Sequence, residues 1–267
     1  MTHRSKWAGS LAVCAAMIAV PAGGQDMMRH IDMTAPEMNS AEMTRTDVEA
    51  ALRSATSDKP SDFTGKRLSG LDLSGLDLSG AVLRAAKLNR ANLAGAKLDR
   101  AVLDQAWLIE ADLTGANLRG ANIFAAQMQR ARLDGADLAG ARLAADLTGA
   151  SLVGANLENA NLSADMRNQS MGLMRAVLKS ARLDGANLRG ADLSLVDLEF
   201  ASLKGADLTG VSLRGATLGG ADLTGVIVAG ADFLGTDLAS ARLVRPIGLD
   251  TARNFDKAKN VQRLLHE

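Results

Sequence analysis

The sequence predicts an all-β solenoid, a coil of short extended sides joined by tight corners, on three observations. From about Phe63 to Leu243 a large apolar residue, nearly always Leu, returns every five positions. A small residue, usually Ala, stands two places before it, as in Ala111-Asp112-Leu113-Thr114-Gly115 and Ala221-Asp222-Leu223-Thr224-Gly225. Gly or Ala commonly fills the fifth place, which suits a corner needing positive φ or little bulk. A period of five is neither the ~3.6 of a helix nor the ~2 of a long strand. Short sides closed by turns let the same residue of every unit point inward.

The chain divides at the edges of this tract. Residues 1–22 read as an export signal: Arg4 and Lys6 give a basic start, Trp7 to Val20 is apolar and small, and Val20-Pro21-Ala22 supplies the small residues that cleavage needs. The apolar run is shorter than the ~20 residues that span a bilayer, so no transmembrane segment is expected in the mature chain. Leu11-Ala12-Val13-Cys14 fits a lipoprotein box poorly, with Val before the Cys. Cleavage after Ala22 removes the single cysteine, and with it any disulfide, thiol nucleophile or thiolate metal site. The expected location is the periplasm or the exterior.

Residues 23–62 are polar and rich in methionine: Met27, Met28, Met33, Met38 and Met43, with His30 among them. Thioether and imidazole are soft ligands that suit Cu(I), which makes Met28, His30 and Met33 a candidate copper site. The competing reading is a tether, or apolar residues laid over the end of the tract. Thr46 and Glu49 have the spacing of a capping box, and Val48, Ala51, Leu52 and Ala55 share one helical face. A helix over about Asp47–Ala55 is expected to cover the first coil.

Residues 63–244 form the tract, with about 36 apolar centres. Leu143 is followed by Leu147, so one residue has been lost; the original phase returns with a run that starts at Leu173. Units such as Ala116-Asn117-Leu118-Arg119-Gly120 resemble those of the pentapeptide-repeat family over two thirds of the chain. The resemblance implies a right-handed quadrilateral β-helix, four units to a coil, with Leu and Ala inward. About nine coils at ~4.8 Å give a rod of ~43 Å. Each buried Leu contributes about 1.5–3 kcal/mol. The best-known members of the family mimic DNA and modulate topoisomerases, which calls for a strongly acidic surface and a cytosolic address. Here 30 basic residues balance 30 acidic ones, and only five Phe, two Trp and no Tyr are available to stack on bases. No nucleic-acid partner is expected.

The Asp and Asn before each Leu invite a search for paired catalytic carboxylates. The repeat itself accounts for them, so Asp112, Asp137, Asp192 and Asp222 are read as consensus. No His lies between His30 and His266, and the tract lacks the long loops that build a cleft. The expectation is a non-catalytic scaffold without a cofactor, apart from the candidate copper, binding a protein or cell-envelope component.

Departures from the repeat are the places to look for a site. Ser163 to Arg175 brings together Met166, Arg167, Asn168, Gln169, Met171 and Met174. It reads as a one-residue bulge that repairs register, as a patch that recognises a partner, or as a second methionine-rich metal site. Trp107 and Ile109 flank inward Leu108, and Phe124 follows Ile123 one coil on, an arrangement that suits a small exposed apolar patch. Leu195 and Phe200 are similar oddities. In residues 245–267, Ala252, Phe255, Ala258, Val261 and Leu265 fall on one face of a helix expected over Thr251–Leu265, which closes the open end. The family resemblance also implies a possible homodimer through this C-terminal region.

Overall fold

The unit Ala111–Gly115 shows how five residues satisfy their own backbone. Ala111 N–H closes a turn onto the Leu108 carbonyl at 3.0 Å. Asp112 N–H reaches back one coil to Ala91 at 3.0 Å; Leu113 and Gly115 N–H reach forward to Arg132 at 2.7 Å and Asp134 at 3.0 Å. The remaining donor, Thr114 N–H, goes to the carboxylate of Asp112 at 3.0 Å. The polar residue before Leu is therefore an Asx-turn acceptor that no backbone group replaces. Asp137, Asp192 and Asp222 do the same for Ala139, Ser194 and Thr224.

The computed structural model describes residue 32 and residues 35–56, 58–165 and 175–265. Parallel bridges join residues twenty apart, such as Asp72 to Asn92 and Asn92 to Asp112, on four faces in rotation. Face 1 starts at Asp62, face 2 at Arg67, face 3 at Asp72 and face 4 at Asp77. Each side gives one residue to its ladder before the next corner, so the strands are single bridges. The Leu and Ala columns from Phe63 to Leu243 make one continuous buried core.

The step of four after Leu143 is absorbed at a corner. Ala145 N–H bonds to the Leu143 carbonyl at 3.0 Å, a three-residue γ-turn in place of a β-turn. Ala144 and Ala145 are both buried there, and small side chains permit the tighter corner.

The second irregularity differs from the one-residue bulge. Asp146 pairs with Val177, and Asn161 with Asp192, each 31 residues on where a coil takes 20. Eleven residues are thus inserted between Leu162 and Leu178. Because eleven is two pentapeptides plus one, the phase of the repeat returns as if a single residue had been added. Leu173, the expected start of the third run, lies outside the described residues, and the run resumes at Leu178.

At the N-terminal end, α1 (Pro36–Asn39) and α2 (Arg45–Arg53) flank an antiparallel bridge from Ala41 to Leu68. The cap of α2 is Thr44, not Thr46. Its hydroxyl accepts from Asp47 N–H, and the Asp47 carboxylate accepts from Thr44 N–H at 2.8 Å. Asp47 therefore takes the box position expected of Glu49, which instead pairs with Arg45 at 2.9 Å. Starting there, α2 buries Val48 in the first coil.

The C-terminal helix expected over Thr251–Leu265 is absent; a further coil stands in its place. Ile247, Arg253, Lys259 and Leu265 extend the four ladders at a spacing of six. Short 3-10 turns follow left-handed Gly248, Asn254 and Asn260. Leu249, Ala252, Phe255, Ala258, Val261 and Leu264 pack against the core. Their spacing is three, not 3.6, so two face inward on each six-residue side. The side chains of Asn254 and Asn260 bond to Asp232 at 2.8 Å and Asp237 at 2.7 Å one coil below. The Phe255 ring stands edge-on to Phe233, with centroids 5.2 Å apart.

Candidate interaction site at the insertion

The insertion leaves from face 1 and rejoins face 2, and both of its feet are tied down by arginine. At the exit, Ser163 donates from its N–H and its hydroxyl to Asn161 at 3.0 and 2.7 Å, and Ala164 N–H reaches the Ser194 carbonyl at 3.3 Å. Asp165 pairs with Arg142 at 3.1 Å. The Arg142 guanidinium also lies 4.1 Å above the centre of the Phe124 ring, held there by a cation–π contact.

At the re-entry, Arg175 donates to the Leu195 carbonyl at 3.1 Å and to the Asp197 carboxylate at 3.2 Å. The Asp197 side chain is only 7% exposed, and a carboxylate so enclosed requires pairing. Lys179 supplies a second cation, 3.4 Å from Asp197 and 2.9 Å from Glu199. Its hydrogen bond to Glu199 and the charges of Asp197 and Glu199 hold the Lys179 ammonium above the ordinary lysine range.

Two corners beside this foot carry apolar side chains. Leu195 and Phe200 adopt φ of 63° and 59°, a region that strains L residues. Each leans over a glycine of the next coil: a Cβ on Gly215 would meet Leu195 Cδ2 at 2.8 Å, and one on Gly220 would meet Phe200 Cδ1 at 2.6 Å. Phe200 is 67% exposed, the most exposed large apolar residue among those described.

Other residues singled out in the sequence fall elsewhere. Met166, Arg167, Asn168, Gln169, Met171 and Met174 lie outside the described residues, as do Met28, His30 and Met33. Among the described residues no group of three or more His, Cys, Asp and Glu is placed to hold a metal. Met38 is 5% exposed and Met43 packs against the core. The Met38 carbonyl receives Ser69 Oγ at 2.9 Å and the Asn89 amide at 3.0 Å, so Met38 straps the N-terminal segment to the corner that follows face 2. Trp107 lies on face 2, Phe124 at the corner between faces 1 and 2, and Ile109 is buried at 9% exposure, and none of them is among the exposed large apolar residues described. The three do not form an exposed apolar patch. Asp165 belongs to the irregular stretch singled out in the sequence, whereas its partner Arg142, and Lys179 and Asp197 at the other foot, carry no mark along the chain that separates them from ordinary repeat residues. The 31-residue ladder step, invisible to a search for phase, is what assembles them.

A family model described as "Pentapeptide repeats" matches residues 61–99, 86–123, 125–163, 173–210, 191–228 and 216–245, in eight copies, and implies the right-handed sense of the coil. Comparison with curated proteins gave no match. Among solved structures, the chain is similar to HetL, a pentapeptide repeat protein involved in heterocyst differentiation regulation from the cyanobacterium Nostoc sp. strain PCC 7120. That likeness has 27% identity, covers 84% of this chain and 100% of HetL, and has a TM-score of 0.46. It is also similar to QnrB1, a plasmid-mediated fluoroquinolone resistance protein, at 19% identity over 74% of this chain and 87% of QnrB1, with a TM-score of 0.40.

Proposed function

The chain belongs to the pentapeptide-repeat family, and from that premise we propose that it is a non-catalytic, exported scaffold. Its partner is a protein or envelope component bound at the corner that carries the insertion. The observation that carries this reading is an eleven-residue insertion secured at both feet by Arg–Asp pairs, beside a Phe200 that is 67% exposed. Exposed aromatics with arginines close by are the residue types enriched in protein-recognition surfaces.

The state of the carboxylates supports a non-catalytic role. Burial pushes Asp112 and Asp222 up, but hydrogen bonds from Thr114 and Thr224, with Arg132 and Lys204 nearby, hold both below the ordinary range. A general acid needs the opposite shift. Cations neutralise many tract carboxylates, as Arg189 does Asp207 at 2.9 Å, which disfavours a DNA-like acidic surface. Export rests on the basic and apolar character of residues 1–22.

The test places a photo-crosslinking residue at position 200 in cells, with and without residues 165–175. A discrete adduct in the envelope fraction, lost on excision, supports the reading. Identical adducts in both chains, or fractionation of the protein with the cytosol, would overturn it.

A further inference from the structure

The last coil departs from the charge balance of the chain. Residues 242–267 hold six bases (Arg242, Arg245, Arg253, Lys257, Lys259 and Arg263) against three acids, within a sequence of 30 and 30. All six bases are exposed, and none forms an ion pair among the described residues. Elsewhere most described bases are paired, as Arg132 is with Asp112 and Arg119 with Asp137 at 3.2 and 3.0 Å, with Lys87, Arg100 and Arg182 among the scattered exceptions. The same coil carries two exposed aliphatics, Ile247 at 58% and Leu265 at 51%. The ladder sets Leu265 directly beyond Arg242 on face 3. Arg245 occupies the corner between faces 3 and 4, two residues before Ile247. Arg253 and Lys259 extend faces 1 and 2.

We propose that this C-terminal end of the rod docks on an anionic phospholipid bilayer. Bases on three faces and a corner, with Ile247 on face 4 and Leu265 on face 3, ring the end of the rod and address a plane better than a groove. An anionic bilayer supplies the opposite charge and the apolar layer in one surface. A nucleic acid supplies the charge alone, and Phe255, which would be needed for stacking, is engaged with Phe233. A second copy bound head to tail would have to offer the acids of its N-terminal cap. Most of those are committed: Glu42 to Lys66 and Arg67, Asp47 to Thr44, and Glu49 to Arg45 and Arg53, which leaves exposed Glu37 of α1 against six bases. The surface is separate from the insertion corner and does not depend on the role given to it.

The experiment sediments the full chain with vesicles of phosphatidylcholine alone, or with about a third phosphatidylglycerol. It includes the double variant Arg245→Glu/Arg263→Glu and the variant Ile247→Asn. The expected result is binding to the anionic vesicles only, lost in ~1 M NaCl, where screening falls to ~3 Å. Binding should weaken at least ~10-fold in the double variant and measurably in Ile247→Asn. Unchanged circular dichroism checks that the variants fold. Three results would overturn the proposal. The first is no binding to anionic vesicles. The second is equal binding by the double variant, which places lipid contact elsewhere, as in the apolar stretch Trp7–Val20. The third is self-association abolished by the same substitutions without any lipid binding, which assigns this end to a second copy.

Discussion

The carbonyl of Leu162 accepts a hydrogen bond from Ala176 N–H at 3.3 Å, so a turn that Leu157 and Ala160 close over three residues at 3.0 Å is here closed over fourteen. The excess of eleven matches the ladder step of 31 against 20. The coil continues beneath the insertion with its hydrogen bonds intact, and loop closure becomes costlier only with the logarithm of length.

Excising residues 165–175 joins Ala164 to Ala176 and restores a spacing of five between Leu162 and Leu178. The shortened chain should fold cooperatively, with Tm within ~4 °C of the parent, since about 1 kcal/mol shifts a chain of this size by ~2–4 °C. Thermal unfolding followed by circular dichroism checks this. A broad, non-cooperative transition would mean that the insertion is part of the core.

Gly220 and Gly225 both sit at positive φ, but a Cβ at Gly225 meets nothing within 4 Å, whereas one at Gly220 strikes the Phe200 ring at 2.6 Å. Gly225→Ala should therefore cost only the left-handed penalty, about 1–2 kcal/mol. Gly220→Ala should cost more, by about a further 1 kcal/mol or so. In a Phe200→Ala background the two glycine substitutions should become equal. Urea denaturation of the four variants measures the coupling as a double-mutant cycle.

Thr44 and Thr46 are close rivals by sequence, and the structure makes Thr44 the cap. Thr44→Ala should lower stability by about 1 kcal/mol and fray α2, while Thr46→Ala should change it by less than ~0.5 kcal/mol. Chemical denaturation and hydrogen exchange at Val48 distinguish the two.

Acid should loosen the coil corner by corner. Hydrogen bonds from Ser74 hold the Asp72 carboxyl below its ordinary value, those from Ser79 do so for Asp77, and the Asn260 amide does so for Asp237. A carboxyl with a depressed folded pKa binds fewer protons in the native state, so stability rises with pH through this region. The contribution is complete above the unfolded value of 3.8 and is lost as pH falls through the folded values. The urea midpoint should be flat between about pH 5 and 7 and fall below about pH 4. A midpoint that stays level down to about pH 2 would show that these Asx turns carry no stability.

Much of the architecture was legible in the chain because each pentapeptide satisfies itself locally. The Leu and Ala columns, the Asp acceptor and the small fifth residue are all written inside one unit of the kind seen at Ala111–Gly115, and repetition did the rest. At the two ends local rules overlap, and the chain alone does not choose between them. Thr44 and Thr46 both precede an acid by three residues, and only the burial of Val48 against the first coil selects the earlier cap. At the other end a spacing of three from Leu249 to Leu264 passes for a helical face until left-handed Asn254 and Asn260, bonded to Asp232 and Asp237, turn it into six-residue sides.

By itself the sequence determined the period, the inward columns, the lost residue after Leu143 and the presence of an irregularity near Ser163. Tertiary structure alone decided how large that irregularity is and what surrounds it. A repeat of five fixes an insertion only modulo five, so one extra residue and eleven look alike along the chain. Pairing between coils counts the whole circuit. That count, 31 residues from Asn161 to Asp192, brings Arg142 to Asp165 and Arg175 to Asp197 at the insertion's feet. It does so because ladder hydrogen bonds fix which residues stack, whatever length of chain lies between them.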